Sequence, residues 1–213
     1  MASYITATSI QELTVKSTIV IVAKAGVKGG IINMARDVND HSKPDPGLFG
    51  IGQIYSFEVI RYIKGDETVA GVKDIHIVQL EGLFERTPQA SPSADEIEKE
   101  RAVYNYTSFK PGVEYILFPN PLQDYPDLKN YFTGIAPNPW KFVLIDNCAY
   151  PESSWRGASD YFHPQLVDGF VKKVESSLTL DIKSITPPAY PVPDDAESNS
   201  ACQLVPSGNV PYP

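Results

Sequence analysis

Histidine, cysteine and clustered basic residues are scarce in this chain, and each scarcity removes a class of chemistry. Only three histidines occur, His41, His76 and His163. None has a partner at the i, i+4 spacing that sets two ligands on one helix face. The two cysteines, Cys148 and Cys202, lie far apart and form no C-x-x-C. A catalytic zinc needs three nearby ligands from His, Cys or carboxylate, so no catalytic metal centre is expected. Basic residues number 18 against 26 acidic ones, a net charge of −8. They are scattered and form no stripe that could displace counterions from phosphates. Nucleic acid is therefore not an expected partner, and anionic membrane surfaces are disfavoured on the same ground. Long apolar runs are missing too. The longest, Ile19-Val20-Ile21-Val22-Ala23, is strand-sized, whereas a spanning helix needs about 20 residues.

Catalytic and cofactor motifs are also absent. There is no G-x-S-x-G elbow, and Gly26-Val27-Lys28-Gly29-Gly30 lacks the Lys-Ser/Thr ending of a phosphate loop. The nearest approach to a nucleophile is Gly157-Ala158-Ser159-Asp160 with His163 close by. These are common residues in one loop, and no catalytic residue is assigned. No organic cofactor is expected. Met1-Ala2-Ser3-Tyr4 has neither the basic start nor the apolar core of a signal peptide. The chain reads as cytoplasmic if it is the whole gene product, and as extracytoplasmic if a leader was removed.

What is present is a succession of short β-patterned runs, each ended by a turn signal. Gln53–Ile63 stops at Lys64-Gly65-Asp66, and Asp74–Leu80 stops at Glu81-Gly82. Tyr115–Phe118 follows Phe109-Lys110-Pro111-Gly112 and stops at Pro119-Asn120-Pro121. Runs of this size, rich in Val, Ile, Tyr and Phe, point to an antiparallel barrel or sandwich. Strands are expected over 18–24, 53–63, 74–80, 114–119, 130–136 and 140–146. Asn138-Pro139 should turn the last two into a hairpin. In the second strand the inward face slips at Val59-Ile60, which predicts a bulge.

Ser9-Ile10-Gln11-Glu12 has the capping-box form and predicts a helix over about 9–16, with Ile10 and Leu13 inward. Ser93-Ala94-Asp95-Glu96 repeats the signal inside an excursion at 84–108. The charged helix it opens should pack on almost nothing. An apolar stripe of Leu166, Phe170, Val171 and Val174 predicts an amphipathic helix over 164–178, docked on the barrel. From Thr186 onward seven of 28 residues are proline. One domain over 1–180, then an extended or disordered Pro-rich tail over 181–213, is the expected organisation.

Two loops carry the candidate binding residues. The first, 33–50, is polar and holds Asp37, Asp40, His41 and Asp45. Its spacing fails the EF-hand template, with Ser42 at the sixth position and Leu48 at the twelfth, so a calcium or magnesium ion there would be structural. The second, 147–163, holds Trp155, Tyr161 and Phe162. Aromatics concentrate around it, 14 of the 23 falling between Tyr104 and Phe162, where they serve either as exposed binding faces or as core. Cys148 and Cys202 either pair, tying the tail to the barrel, or stand as unrelated thiols.

The order of pieces resembles a known group. SIQELTVKS runs into TIVIVAKAG, VIRYIKGD closes the next strand, and KDIHIVQLEG and FKPGVEYILF follow. Over about residues 9–145 this is similar to poorly characterised bacterial, often exported domains with an OB-like barrel, akin to tissue inhibitors of metalloproteinases (TIMP-like) and netrin modules. Those inhibitors chelate zinc through an N-terminal cysteine. None occurs here between Met1 and Gly30, so no functional residue carries over. The resemblance implies a mainly β, closed antiparallel OB-like barrel with short flanking helices, and a non-enzymatic role at the cell envelope. The expected function is a binding module for a protein, peptide or glycan, using barrel-rim loops 33–50 and 147–163. The alternative is a hydrolase-like enzyme on the same loops. Charged residues converging in a deep pocket would favour the enzyme, a shallow aromatic-rimmed surface the module.

Overall fold

A computed structural model describes residues 7–65, 72–85, 92–104, 108–122, 125–134, 140–152, 162–181 and Cys202. The fold is mainly β. Helix α1 (Ile10–Lys16) leads into β1 (Val20–Asn33), β2 (Leu48–Lys64) and β3 (Asp74–Glu85). Helix α2 (Ala94–Tyr104) follows, then β4 (Glu114–Leu117), β5 (Pro119–Pro121), β6 (Phe132–Gly134), β7 (Lys141–Ile145), β8 (Cys148–Glu152), β9 (Gln165–Leu166) and α3 (Val167–Ser177). All nine strands belong to one sheet in the order β5-β6-β3-β2-β1-β4-β7-β8-β9. It curls strongly into a half-barrel.

Two features of the expected barrel are corrected. The sheet is mixed, because β3 and β6 run parallel, Ile77 facing Phe132 and Val78 facing Thr133. It is also not a closed barrel. Strand β4 is occupied on both sides, by β1 and by β7, which leaves it no edge for β6. The chain instead steps through Phe118 to β5, and β5 pairs with β6. The two flanks are thus joined covalently, not by a ladder. The expected 131–146 hairpin fails for the same reason: β6 lies between β5 and β3, and β7 between β4 and β8. The true hairpin is β7–β8. Its two-residue turn, Asp146-Asn147, has φ of 48° and 64°, the left-handed pair that a tight hairpin demands and that Asp and Asn tolerate.

Other expectations hold. Ser9 Oγ accepts from Glu12 N–H at the start of α1, with Ile10 and Leu13 buried. Ala23 pairs with Val59 and Val22 with Arg61, so Ile60 is the extra residue of the expected bulge. Helix α3 buries Phe170, Val171 and Val174 as expected, but it begins at Val167, and Leu166, expected to be buried in it, is half-buried in β9. The core is one cluster running from Ile10 and Leu13 through the strands to Phe170 and Val174. Trp140 lies across Gly134, where an added Cβ would fall 1.8 Å from the indole Cδ2. The sheet edges are blunted. Prolines bound β5, and β9 has two residues. Among the described residues nothing pairs with β1 beyond Ala25 on the side opposite β2, and there Lys28 sits between two register shifts, a guard against strand addition.

Lys64 closes the C-terminal end of α1. Its ammonium donates to the carbonyls of Thr14 at 2.9 Å, Val15 at 3.4 Å and Ser17 at 2.6 Å. Burial pulls its pKa down. Lys64→Met keeps the stem but leaves those carbonyls without their donor, and should cost about 2 kcal/mol. A shifted urea midpoint at unchanged slope is the expected reading.

Candidate functional site

Two places bring polar side chains together, one on the rim and one inside. The rim begins with loop 33–47, which organises itself. Asp37 Oδ1 accepts from the N–H groups of Asn39 (2.7 Å) and Asp40 (3.2 Å). Asp40 Oδ1 accepts from Ser42 N–H and Oγ–H, and Asp45 Oδ1 from Gly47 N–H. Lys43 Nζ sits 2.6 Å from Asp40 Oδ2. Its hydrogen bond is the main reason the Asp40 carboxyl is lowered to about 2. The acids are thus engaged as turn formers. Among the described residues no three His, Cys, Asp or Glu side chains are grouped so as to hold a metal ion. His41 is exposed at the loop tip.

Arg36 ties this loop to the turn at 125–130. Its Nη1 donates to both carboxylate oxygens of Asp127 at 3.1 Å, and Nη2 donates to Asn33 O. The guanidinium carbon lies 5.2 Å from the Tyr125 ring centroid, within cation–π range. Arg36 itself is nearly buried, while Asp127 is half exposed. The close approach of loop and sheet depends on glycine. A Cβ on Gly52 would stand 2.5 Å from Met34 Cγ, and one on Gly50 2.8 Å from Ala35 N.

Of the second loop, Trp155 and Tyr161 lie outside the described residues. Phe162 is buried and meets Phe142 edge-on at 6.0 Å, so it is core and not an exposed face. Residues 148–152, expected as loop, are β8. Cys148 and Cys202 are joined in a disulfide.

The interior place was not foreseen. Strand β3 does not stop at Glu81-Gly82 but runs on to Glu85. Gly82 gives room to Ile51 and Glu100, and Glu81 points inward, wholly buried. Tyr55 donates its hydroxyl to Glu81 Oε1 at 2.6 Å. Burial, followed by this bond, raises the Tyr55 pKa well above the usual phenol value. Arg101 of α2 reaches in, with Nε 2.7 Å from Glu81 Oε2 and Nη2 donating to Gln53 Oε1 at 2.6 Å. Its Nη1 also meets Glu98. The amide of Gln53 donates to the carbonyls of Gly29, Gly30 and Ile54.

Deeper in the sheet Lys141 faces Glu152 at 3.3 Å and donates to Gln79 Oε1 at 3.1 Å. Its ammonium lies 4.5 Å from the Phe109 ring centroid. Burial pulls the Lys141 pKa down against the opposing pull of Glu152. Phe109 in turn packs edge-on to Tyr55, Phe57, Tyr115 and Trp140.

One signal in the sequence could have found this cluster. Ile75, Ile77, Gln79 and Glu81 share a face, so a polar pair sits at positions that alternation assigns to the core. Neither a protein-family model nor a curated protein matches this chain.

Proposed function

We propose that this chain is a non-enzymatic binding module with an OB-like barrel, presenting its site on the rim formed by loop 33–47 and turn 125–130. One observation carries the reading: Arg36 clasps two connections distant in sequence, through Asp127 and Tyr125, into a single surface. If 114–121 is read as one bent strand, then β1, β2, β3, β6 and that strand make a five-stranded, partly open cycle. OB-like modules take that form and bind ligands through inter-strand loops. The joined surface offers a half-exposed aromatic ring and polar loop edges, which suit a peptide or glycan. The interior acids favour recognition over hydrolysis, since Glu81 and Glu152 each sit in an ion pair away from solvent. The disulfide suits an oxidising, extracytoplasmic setting, as the resemblance to exported, TIMP-like domains implies. No helix among the described residues is long and apolar enough to cross a membrane.

Peptide and glycan arrays probed with the wild-type chain test this. Hits should weaken about tenfold or more in a Tyr125→Ala/Asp127→Ala variant, as expected for loss of an aromatic anchor. They should persist in Glu175→Ala on the distant helix α3. Hits indifferent to the rim variant would overturn the assigned surface. Turnover of ester, peptide or glycoside substrates would overturn the non-enzymatic reading.

A further inference from the structure

Helix α2 is held in an unusual way. Its capping box is complete, with Ser93 N–H donating to Glu96 Oε2 and Glu96 N–H to Ser93 Oγ. Over Ala94–Ala102, however, Ile97 is the one buried side chain. Over that span the helix meets the half-barrel through Ile97, through the Glu100 stem beside Gly82 and through the Arg101 guanidinium. The charged helix was expected to pack on almost nothing, and the structure corrects this through a polar contact. Because a polar contact carries part of this docking, the association responds to anything that competes for the same polar partners.

Those partners form a receptor for one chemical group. Glu81 supplies a carboxylate, pinned by the Tyr55 hydroxyl on Oε1. Gln53 supplies an amide oxygen, pinned by the three carbonyls that hold its nitrogen. A planar cation with several N–H groups in a rigid fork fits such a pair better than the compact point charge of an ammonium. Arg101 fills the place imperfectly. Its Nε is only 2.7 Å from Glu81 Oε2, yet the N–H is not aimed at that oxygen. Neither atom makes an aligned hydrogen bond, although both are buried. A charge-assisted bond gains most from alignment, and a guanidinium approaching without the tether of a helix backbone can achieve it. Without Arg101, Glu81 would be a buried carboxylate lacking its nearest cation, with Lys141 acting on it only through the field, a state that favours refilling.

We propose that Glu81, Gln53 and Tyr55 form a guanidinium-binding site that α2 fills with its own Arg101, and from which a guanidinium-bearing ligand displaces Arg101 and releases α2. This concerns the inner face of the half-barrel and stands apart from the rim surface. The chemistry is that of an arginine side chain in a partner peptide or of a small free guanidinium compound.

The test titrates the full wild-type chain with ethylguanidinium, with acetyl-Gly-Arg-Gly-amide and with its lysine counterpart. The readout is the Arg101 Nε–H resonance, assigned by its loss in Arg101→Lys, together with hydrogen exchange of the α2 amides. Saturable movement of that resonance, with faster exchange across α2, is expected for the guanidinium probes and not for the lysine peptide. Tighter binding of the arginine peptide than of ethylguanidinium would assign the ligand to a partner chain, and the reverse order to a small molecule. Arg101→Ala, freed of the internal competitor, should bind at least about tenfold more tightly, while Glu81→Gln should not bind. Tyr125→Ala should bind as the wild type does, which separates this site from the rim. No saturable response in the wild type would overturn the proposal, and that reading stands even if Arg101→Ala fails to fold. An equal response to the lysine peptide, or an undiminished one in Glu81→Gln, would overturn it as well.

Discussion

Replacing Phe170 by alanine should lower stability by about 3–5 kcal/mol, the usual range for emptying a fully packed aromatic site. Phe170 is wholly buried. Its ring centroid lies 4.7 Å from that of Phe142 and 6.0 Å from that of Phe118. Those two rings themselves meet edge-on at 5.7 Å, and Phe142 also touches Phe162. Three segments therefore share one aromatic junction: the β4–β5 step, strand β7 and helix α3. Collapse into the vacated volume is restricted, because Phe118 and Phe142 are both wholly buried and held by the backbone bonds between β4 and β7, and that puts the cost at the upper part of the range. For a chain of this size the melting temperature should fall by roughly 10 °C. Phe170→Leu, which leaves most of the volume filled, should cost distinctly less. An alanine variant that melts with the wild type would show that α3 does not seal the core.

That junction shows what the sequence reveals and where it stops. The α3 stripe was legible because Phe170, Val171 and Val174 repeat at helical spacing, and a face so apolar has to be covered. Strands β1 to β3 and β7 were legible by composition, and the Ile60 bulge by a slip in alternation. The neighbour relations were not. Alternation fixes which face a residue occupies and is silent on which strand lies beside it. The parallel β3–β6 contact and the transfer of the chain through Phe118 follow from long-range pairing. Strand β8 was missed because Cys148-Ala149-Tyr150-Pro151-Glu152 ends in a proline and a charge that resemble a turn. The Asp146-Asn147 signal before it, once read, supplies the hairpin.

The site was less legible than the fold. Asp37, Asp40 and Asp45 drew notice as possible ligands of a hard cation, yet they bond to their own loop. Arg36, passed over beside Asp37, carries the long-range clasp to Asp127, a contact 91 positions away in sequence. Glu81 was hidden because Glu-Gly after an apolar run reads as a turn. In the fold the glycine instead makes room for α2, and the glutamate lies buried under Arg101. Polar residues at core-facing positions break the local rule, and such breaks mark the places where partners must be sought.

Reduction of the disulfide should be the other large loss. Cys148 and Cys202 close a loop with a sequence separation of 54. In the chain-entropy account, opening such a loop destabilises by about 4 kcal/mol. Cys148 begins β8, facing Ile145 across the hairpin and Leu166 of β9 on the other side. Both cysteines are buried within the main core cluster, so the bond anchors Cys202 into a packed environment, not onto a surface. A Cys148→Ser/Cys202→Ser variant should accordingly lose about 4 kcal/mol, with the further small cost of two buried hydroxyls. Its melting temperature should fall by roughly 10 °C, and the wild type in excess reductant should approach the same value. Thiol titration of unfolded, unreduced protein should find no reactive thiol. Two reactive thiols in protein prepared under oxidising conditions, or a double-serine variant as stable as the wild type, would remove both the cross-link and the support it lends to an oxidising compartment.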